Sequence, residues 1–212
     1  MTQTAVVVMT AIVCAVAAAL LTPLVRSETT QDTSLVSLWI HVALAGALGA
    51  GAAALASDAP ELVAFAAAGT LCALLVVIDL TELRLPDKFV LAALGALLVP
   101  LAVAAATTGA WPDFGRSVLA SAACLAGYFA LAWISPSGLG LGDVKFAAVI
   151  GAFLGWFSWR HVGTGTLLAF ALSAVVALGF LISGRASRKT GVPFGPAMLA
   201  GALLSFLVLP VG

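Results

Sequence analysis

The chain has 212 residues, 63% of them hydrophobic and 8% charged, with nine acidic and nine basic side chains that cancel at neutral pH. Soluble domains carry roughly 25% charged residues, so this composition, with a mean hydropathy of +1.19, excludes a water-soluble globular protein and points to the lipid bilayer. Without a basic tract there is nothing for nucleic acid to hold.

A helix needs about 20 apolar residues to cross a bilayer. Segments 4–25, 35–56, 61–79, 88–106, 115–135, 144–158, 163–183 and 193–211 meet or approach that length. The expected fold is therefore all-α, a polytopic integral membrane protein of about eight transmembrane helices, forming one membrane-embedded domain over residues 1–212. The first segment lacks the basic n-region of a signal peptide and is longer than an h-region, so it reads as a span. The sixth is short and follows a glycine-rich stretch, as a loop dipping into the membrane against protein would require. Abundant Ala and Gly suit helices that approach closely in lipid.

Cys14, Cys72 and Cys124 lie apart inside apolar runs and read as small packing residues. With only two histidines, His41 and His161, no metal site is expected.

The basic residues set the orientation. Arg26, Arg84, Lys88, Lys145, Arg185, Arg188 and Lys189 fall on odd-numbered connections, against Arg116 and Arg160 on the even-numbered ones. The positive-inside rule then puts the odd connections in the cytoplasm and both termini outside. In that topology Asp79, closing the third span, and Asp143, opening the sixth, reach the same cytoplasmic face. Ionisable groups at such depth are costly and usually functional.

Three stretches carry the chemistry. The first is Asp79-Leu80-Thr81-Glu82-Leu83-Arg84-Leu85-Pro86-Asp87. Here Asp87 reads as the cap of the following helix, and Glu82 has Arg84 and Lys88 as candidate partners. The second is Gly138-Leu139-Gly140-Leu141-Gly142-Asp143-Val144-Lys145. It reads either as a flexible turn with Asp143 capping the next helix or as a carboxylate held where a substrate backbone comes close. The third, Pro193-Phe194-Gly195-Pro196, is explained as a helix start without any chemistry.

Together these stretches resemble the type IV prepilin peptidases, membrane aspartyl proteases of the GxGD class. The shared pattern is an Asp followed seven residues later by Pro-Asp, then G-x-G-D-x-K, then a terminal P-F-G-P. The resemblance runs from about Leu74 to the C-terminus. It implies that Asp79 and Asp143 are the catalytic pair, with Pro86, Asp87, Gly138, Gly140, Gly142, Lys145, Pro193, Phe194, Gly195 and Pro196 as supporting motif residues. It also implies an endopeptidase that uses no metal or other cofactor. Its substrate would be a prepilin-like precursor whose basic leader stays in the cytoplasm and whose apolar helix enters the membrane. Larger members carry a cytoplasmic region with paired C-x-x-C motifs after the first span, linked to methylation of the new N-terminus. Here that connection is only about residues 26–34 and holds no cysteine, so a short form without methyltransferase activity is expected, like those of tight-adherence and Flp-type pilus systems.

Two carboxylates at hydrogen-bonding distance share one proton and titrate as a unit, one acting as base on a water and the other as acid. Three other readings use the same residues. A presenilin-type protease shares G-x-G-D, but its first Asp normally follows a tyrosine, whereas Ile78 precedes Asp79. A proton-coupled transporter would use the acids as a relay, although the inverted repeats that favour one are not evident. An inactive assembly factor would have no need to retain both acids.

Overall fold

The structure is a computed structural model that describes residues 2–29, 38–135, 139–183 and 193–210. Gly138, the basic residues Arg185, Arg188 and Lys189, and the Gly191-Val192 pair lie outside the described residues. Those described form nine α-helices and no strand: α1 Gln3–Leu20, α2 Thr22–Glu28, α3 Leu38–Leu55, α4 Ala59–Glu82, α5 Asp87–Thr108, α6 Trp111–Ile134, α7 Leu141–Phe157, α8 Trp159–Ile182 and α9 Gly195–Val208.

Eight apolar segments thus become nine helices, because the first expected span is broken. Its signal is Pro23, which cannot donate to a continuing helix but suits the first turn of a new one. The chain accordingly ends α1 at Leu20 and restarts as the seven-residue α2. Beneath this break Thr22 Oγ1 meets Nε2 of the fully buried His41 at 2.8 Å. Five helices (α1, α4, α5, α6 and α8) are long and apolar enough to cross a membrane, and α3 and α9 are shorter apolar helices.

Small residues set the packing. A methyl group added at Gly151 or Gly155 of α7 would fall within 2.9 Å of Ala120 or Cys124 on α6, and one at Gly201 of α9 would overlap Ala169 and Gly165 on α8. Such close backbone approach is how helices associate where lipid removes the hydrophobic drive. α6 packs along α7, α8 along α9, α1 along α3, and α4 between α3 and α5. α9 also touches both α4 and α7, and so bridges the helices that carry the two acids.

Outward faces are apolar: Val8, Ile12 and Val16 on α1, and Leu167, Val175, Leu178 and Leu181 on α8, are all exposed. In water such faces would drive association; in lipid they are solvated. Exposed Trp111 and Trp159 mark one end of the bundle and exposed Trp39 and Trp133 the other, as aromatic residues mark the two interfaces of a membrane.

At the Trp111 end, Arg116 closes α7. Its guanidinium donates to the carbonyls of Gly155, Trp156 and Phe157, and pairs with Asp113 at 2.7 Å. These are the orphan carbonyls of the helix C-terminus, where a cation is favoured. Nearby, the buried Glu61 accepts from the Trp156 indole at 3.1 Å and from Ser57 N–H at 2.7 Å. α7 is therefore anchored at the end remote from Asp143.

Candidate active site

Both acids lie inside helices. α4 continues three residues past Asp79, so its carboxylate sits in the last turn and is only 3% exposed. α7 begins at Leu141, which puts Asp143 in its first turn, half-buried.

Each carboxylate is held by the backbone N–H of a motif glycine. Gly195 donates to Asp79 Oδ2 at 2.9 Å. Gly140 donates to Asp143 Oδ2 at 3.2 Å. The second bond is the carboxylate half of a capping box; Gly140, the helix N-cap, has no side chain for the other half. Asp143 is thus the third helical residue reaching back, not the cap itself.

The glycines serve space rather than flexibility. Among the described residues Gly109 is the only glycine with positive φ. A Cβ at Gly195 would lie 2.9 Å from Asp79 Oδ2, and one at Gly140 would lie 3.2 Å from Asp143 Oδ2. At Gly142 it would press on Leu85, 3.1–3.3 Å from its Cβ, N and O. At Gly140, Gly142 and Gly195, bare backbone lets the two carboxylates and the α4–α5 turn pack against it.

Leu85 joins the two halves of the site. It is buried in the turn between α4 and α5, with its backbone against Gly142 and Cδ1 3.6 Å from the Cβ position of Gly195. Asp79 and Asp143, 64 residues apart, are thereby brought to the same end of the bundle.

Other motif residues hold this arrangement. Pro86 is the extended N-cap of α5. Asp87, expected to cap α5, instead pairs with Lys145 of α7 at 2.6 Å. The G-x-G-D-x-K and Pro-Asp motifs are thereby bonded to each other. Pro193 precedes α9, and Pro196 occupies its first turn. Phe194 is buried, its ring 5.2 Å from that of Phe170 and 6.1 Å from that of Tyr128. The P-F-G-P stretch is therefore more than a helix start: Phe194 anchors it in an aromatic cluster, and Gly195 points its N–H at Asp79. Arg84 and Lys88, considered above as partners of Glu82, both bond Glu28 of α2. Among the described residues no three His, Cys, Asp or Glu side chains gather as a metal-ligand set.

Sequence reasoning missed Leu85 and Glu28. A leucine between polar neighbours has no signature beyond its apolarity. Glu28 lies 56 residues from Arg84, beyond the reach of any local pattern.

The profile of the type IV leader peptidase family matches residues 65–183, a stretch that contains both acids and their first two motifs. A prepilin leader peptidase/N-methyltransferase of Burkholderia pseudomallei is 34% identical over 166 residues, covering 74% of this chain and 50% of that protein. One from Aeromonas salmonicida is 29% identical over 153 residues, covering 66% and 50%. The leader peptidase HopD of Escherichia coli is 44% identical over 69 residues, 32% of this chain and 42% of its own length. The chain thus spans about half the length of the first two relatives. No solved structure matches it. On the profile match, with the Asp79 and Asp143 motifs folded into one site, this chain belongs to the type IV leader peptidase family.

Proposed function

We propose that this protein is a membrane aspartyl endopeptidase that removes the leader from type IV prepilin-like precursors, with Asp79 and Asp143 as its catalytic pair. The observation that carries this reading is that two carboxylates from distant helices converge at one end of a membrane bundle, each oriented by its own glycine N–H.

The mechanism follows from that geometry. Charge on one carboxylate opposes charge on the other, so the pair works with one proton between them. The ionised member takes a proton from water as that water attacks the scissile carbonyl. The protonated member gives its proton to the developing oxyanion or to the leaving amine. The Gly195 and Gly140 N–H groups fix the two carboxylates before substrate arrives, so little reorganisation is left for the reaction itself.

The orientation with this end toward the cytoplasm rests on the seven-to-two bias of basic residues. A precursor with a basic leader in the cytoplasm and an apolar helix in lipid would then present its junction at the level of the acids. The short α2–α3 connection, without cysteine, supports cleavage without methyl transfer.

Co-expression with a prepilin-like precursor, followed by mass spectrometry of the product, tests this. A product lacking its leader and bearing a free N-terminus is expected. An uncut precursor would refute peptidase activity, and a gain of about 14 Da on the new N-terminus would refute the unmethylated product.

A further inference from the structure

Asp79 and Asp143 depend on a turn whose own conformation is unfavourable. Leu83, which ends α4, has φ 51° and ψ 38°, and its N–H bonds the carbonyl of Asp79 itself at 2.9 Å. Among the described residues it is the only non-glycine with positive φ. This left-handed position usually takes Gly or Asn, and a leucine persists there only when its surroundings over-determine it.

Those surroundings are specific. Leu85 is wedged against Gly142 and Gly195, and Asp87 is tied to Lys145. On the outer side both cations of the turn converge on one carboxylate. Lys88 Nζ lies 2.6 Å from Glu28 Oε1, and Arg84 donates to Glu28 Oε2 at 3.4 Å and to the Glu28 carbonyl at 2.9 Å. The Glu28 side chain is 17% exposed, whereas those of Arg84 and Lys88 are more than half exposed. Glu28 is therefore the least exposed member of the cluster, and both cations bond its carboxylate from the solvent side. It ends α2, the short helix created by the break after α1, which packs against α4. It also lies outside the residues 65–183 matched by the family profile.

We propose that Glu28 is a positioning residue for the acid pair: by holding Arg84 and Lys88 it fixes the turn that keeps Leu85 between Gly142 and Gly195. This assignment rests on the peptidase reading. Glu28 touches neither carboxylate; it acts through the turn. Loosening the turn leaves the substrate-binding surfaces in place but spreads the geometry of the two carboxylates, so the chemical step suffers more than binding.

The test compares the full-length protein with E28Q, E28K and the charge-swapped E28K/K88E, in detergent, using a synthetic precursor with a basic leader and an apolar helix. E28Q is expected to lower kcat about fivefold, the scale of an exposed ion-pair cluster, with KM changed less than twofold. E28K should be worse, and E28K/K88E should recover most of its loss. Amide hydrogen exchange supplies a readout that needs no activity: in E28Q residues 83–88 should exchange faster, while α8 is unchanged. Unchanged exchange over 83–88, a loss carried by KM rather than kcat, or a swap no better than E28K would each overturn the proposal. If the unaltered protein cleaves nothing, the peptidase reading fails and the exchange result alone decides whether Glu28 holds the turn.

Discussion

The N–H of Gly195 donates to Asp79 Oδ2 at 2.9 Å across 116 residues of chain. That bond joins the start of the last helix to the end of α4, and it requires that position 195 carry no side chain. Gly195→Ala would put a methyl carbon 2.9 Å from the carboxylate oxygen, and overpacking of this kind costs roughly 1–3 kcal/mol. We expect Gly195→Ala to insert and fold but to lose at least about fivefold in kcat. Cleavage within twofold of the unaltered protein would show that this contact does not hold Asp79 for catalysis.

Asp87 and Lys145 form an exposed ion pair between α5 and α7. Exposed pairs contribute about 0.2–1 kcal/mol, so Asp87→Asn is expected to reduce kcat/KM by no more than about fivefold. Combining it with Lys145→Met should add little, since either change alone removes the pair. Additive losses in this double-mutant cycle would mean that the two residues act separately.

The seven-to-two bias predicts which face meets the cytoplasm. Ser27 and Ser57 are both exposed and lie toward opposite ends of the bundle. In a background without Cys14, Cys72 and Cys124, Ser57→Cys should react with an impermeant thiol reagent in intact cells and Ser27→Cys should not. The reverse pattern would put the acid pair on the outer face.

Glu28 also gives a pH signature. Its hydrogen bond to Lys88, with the nearby charge of Arg84, holds the carboxyl below its ordinary value of 4.5. A lowered folded-state value means that the stabilisation is complete above that ordinary value and is lost as pH falls through the folded one. The difference in thermal midpoint between the unaltered protein and E28Q should therefore be constant from neutral pH to about 5 and close in more acidic buffer. A difference that persists under acid would mean that the Glu28 charge does not hold the turn.

Much of this arrangement was legible in the chain itself. Lipid-length runs mark the helices, and Asp79 and Asp143 stand out because so little else is charged. That Pro193-Phe194-Gly195-Pro196 reaches Asp79 and Leu85 was not legible, because a helix start explains that stretch locally. What stayed hidden has a common physical cause. Asp87 reads as a cap because capping is local, yet its partner Lys145 is 58 residues away. Arg116 reads as a loop charge, although it closes a helix that ends 41 residues later. The break after α1 was signalled by Pro23 but masked by the apolar residues around it. Periodicity reports burial and local turns; it carries no record of which distant carbonyl or carboxylate a cation finds.

Whether Asp79 and Asp143 together hydrolyse a peptide bond is decided with purified protein in liposomes and a prepilin-like precursor. No ion gradient is imposed and a chelator is present throughout. The unaltered protein should release the leader. Asp79→Asn and Asp143→Asn, which keep side-chain size, should each insert normally and abolish cleavage, and the double variant should be no worse than either single one. Cleavage that survives in Asp143→Asn, or that the unaltered protein shows only when the chelator is left out, would contradict the two-carboxylate mechanism.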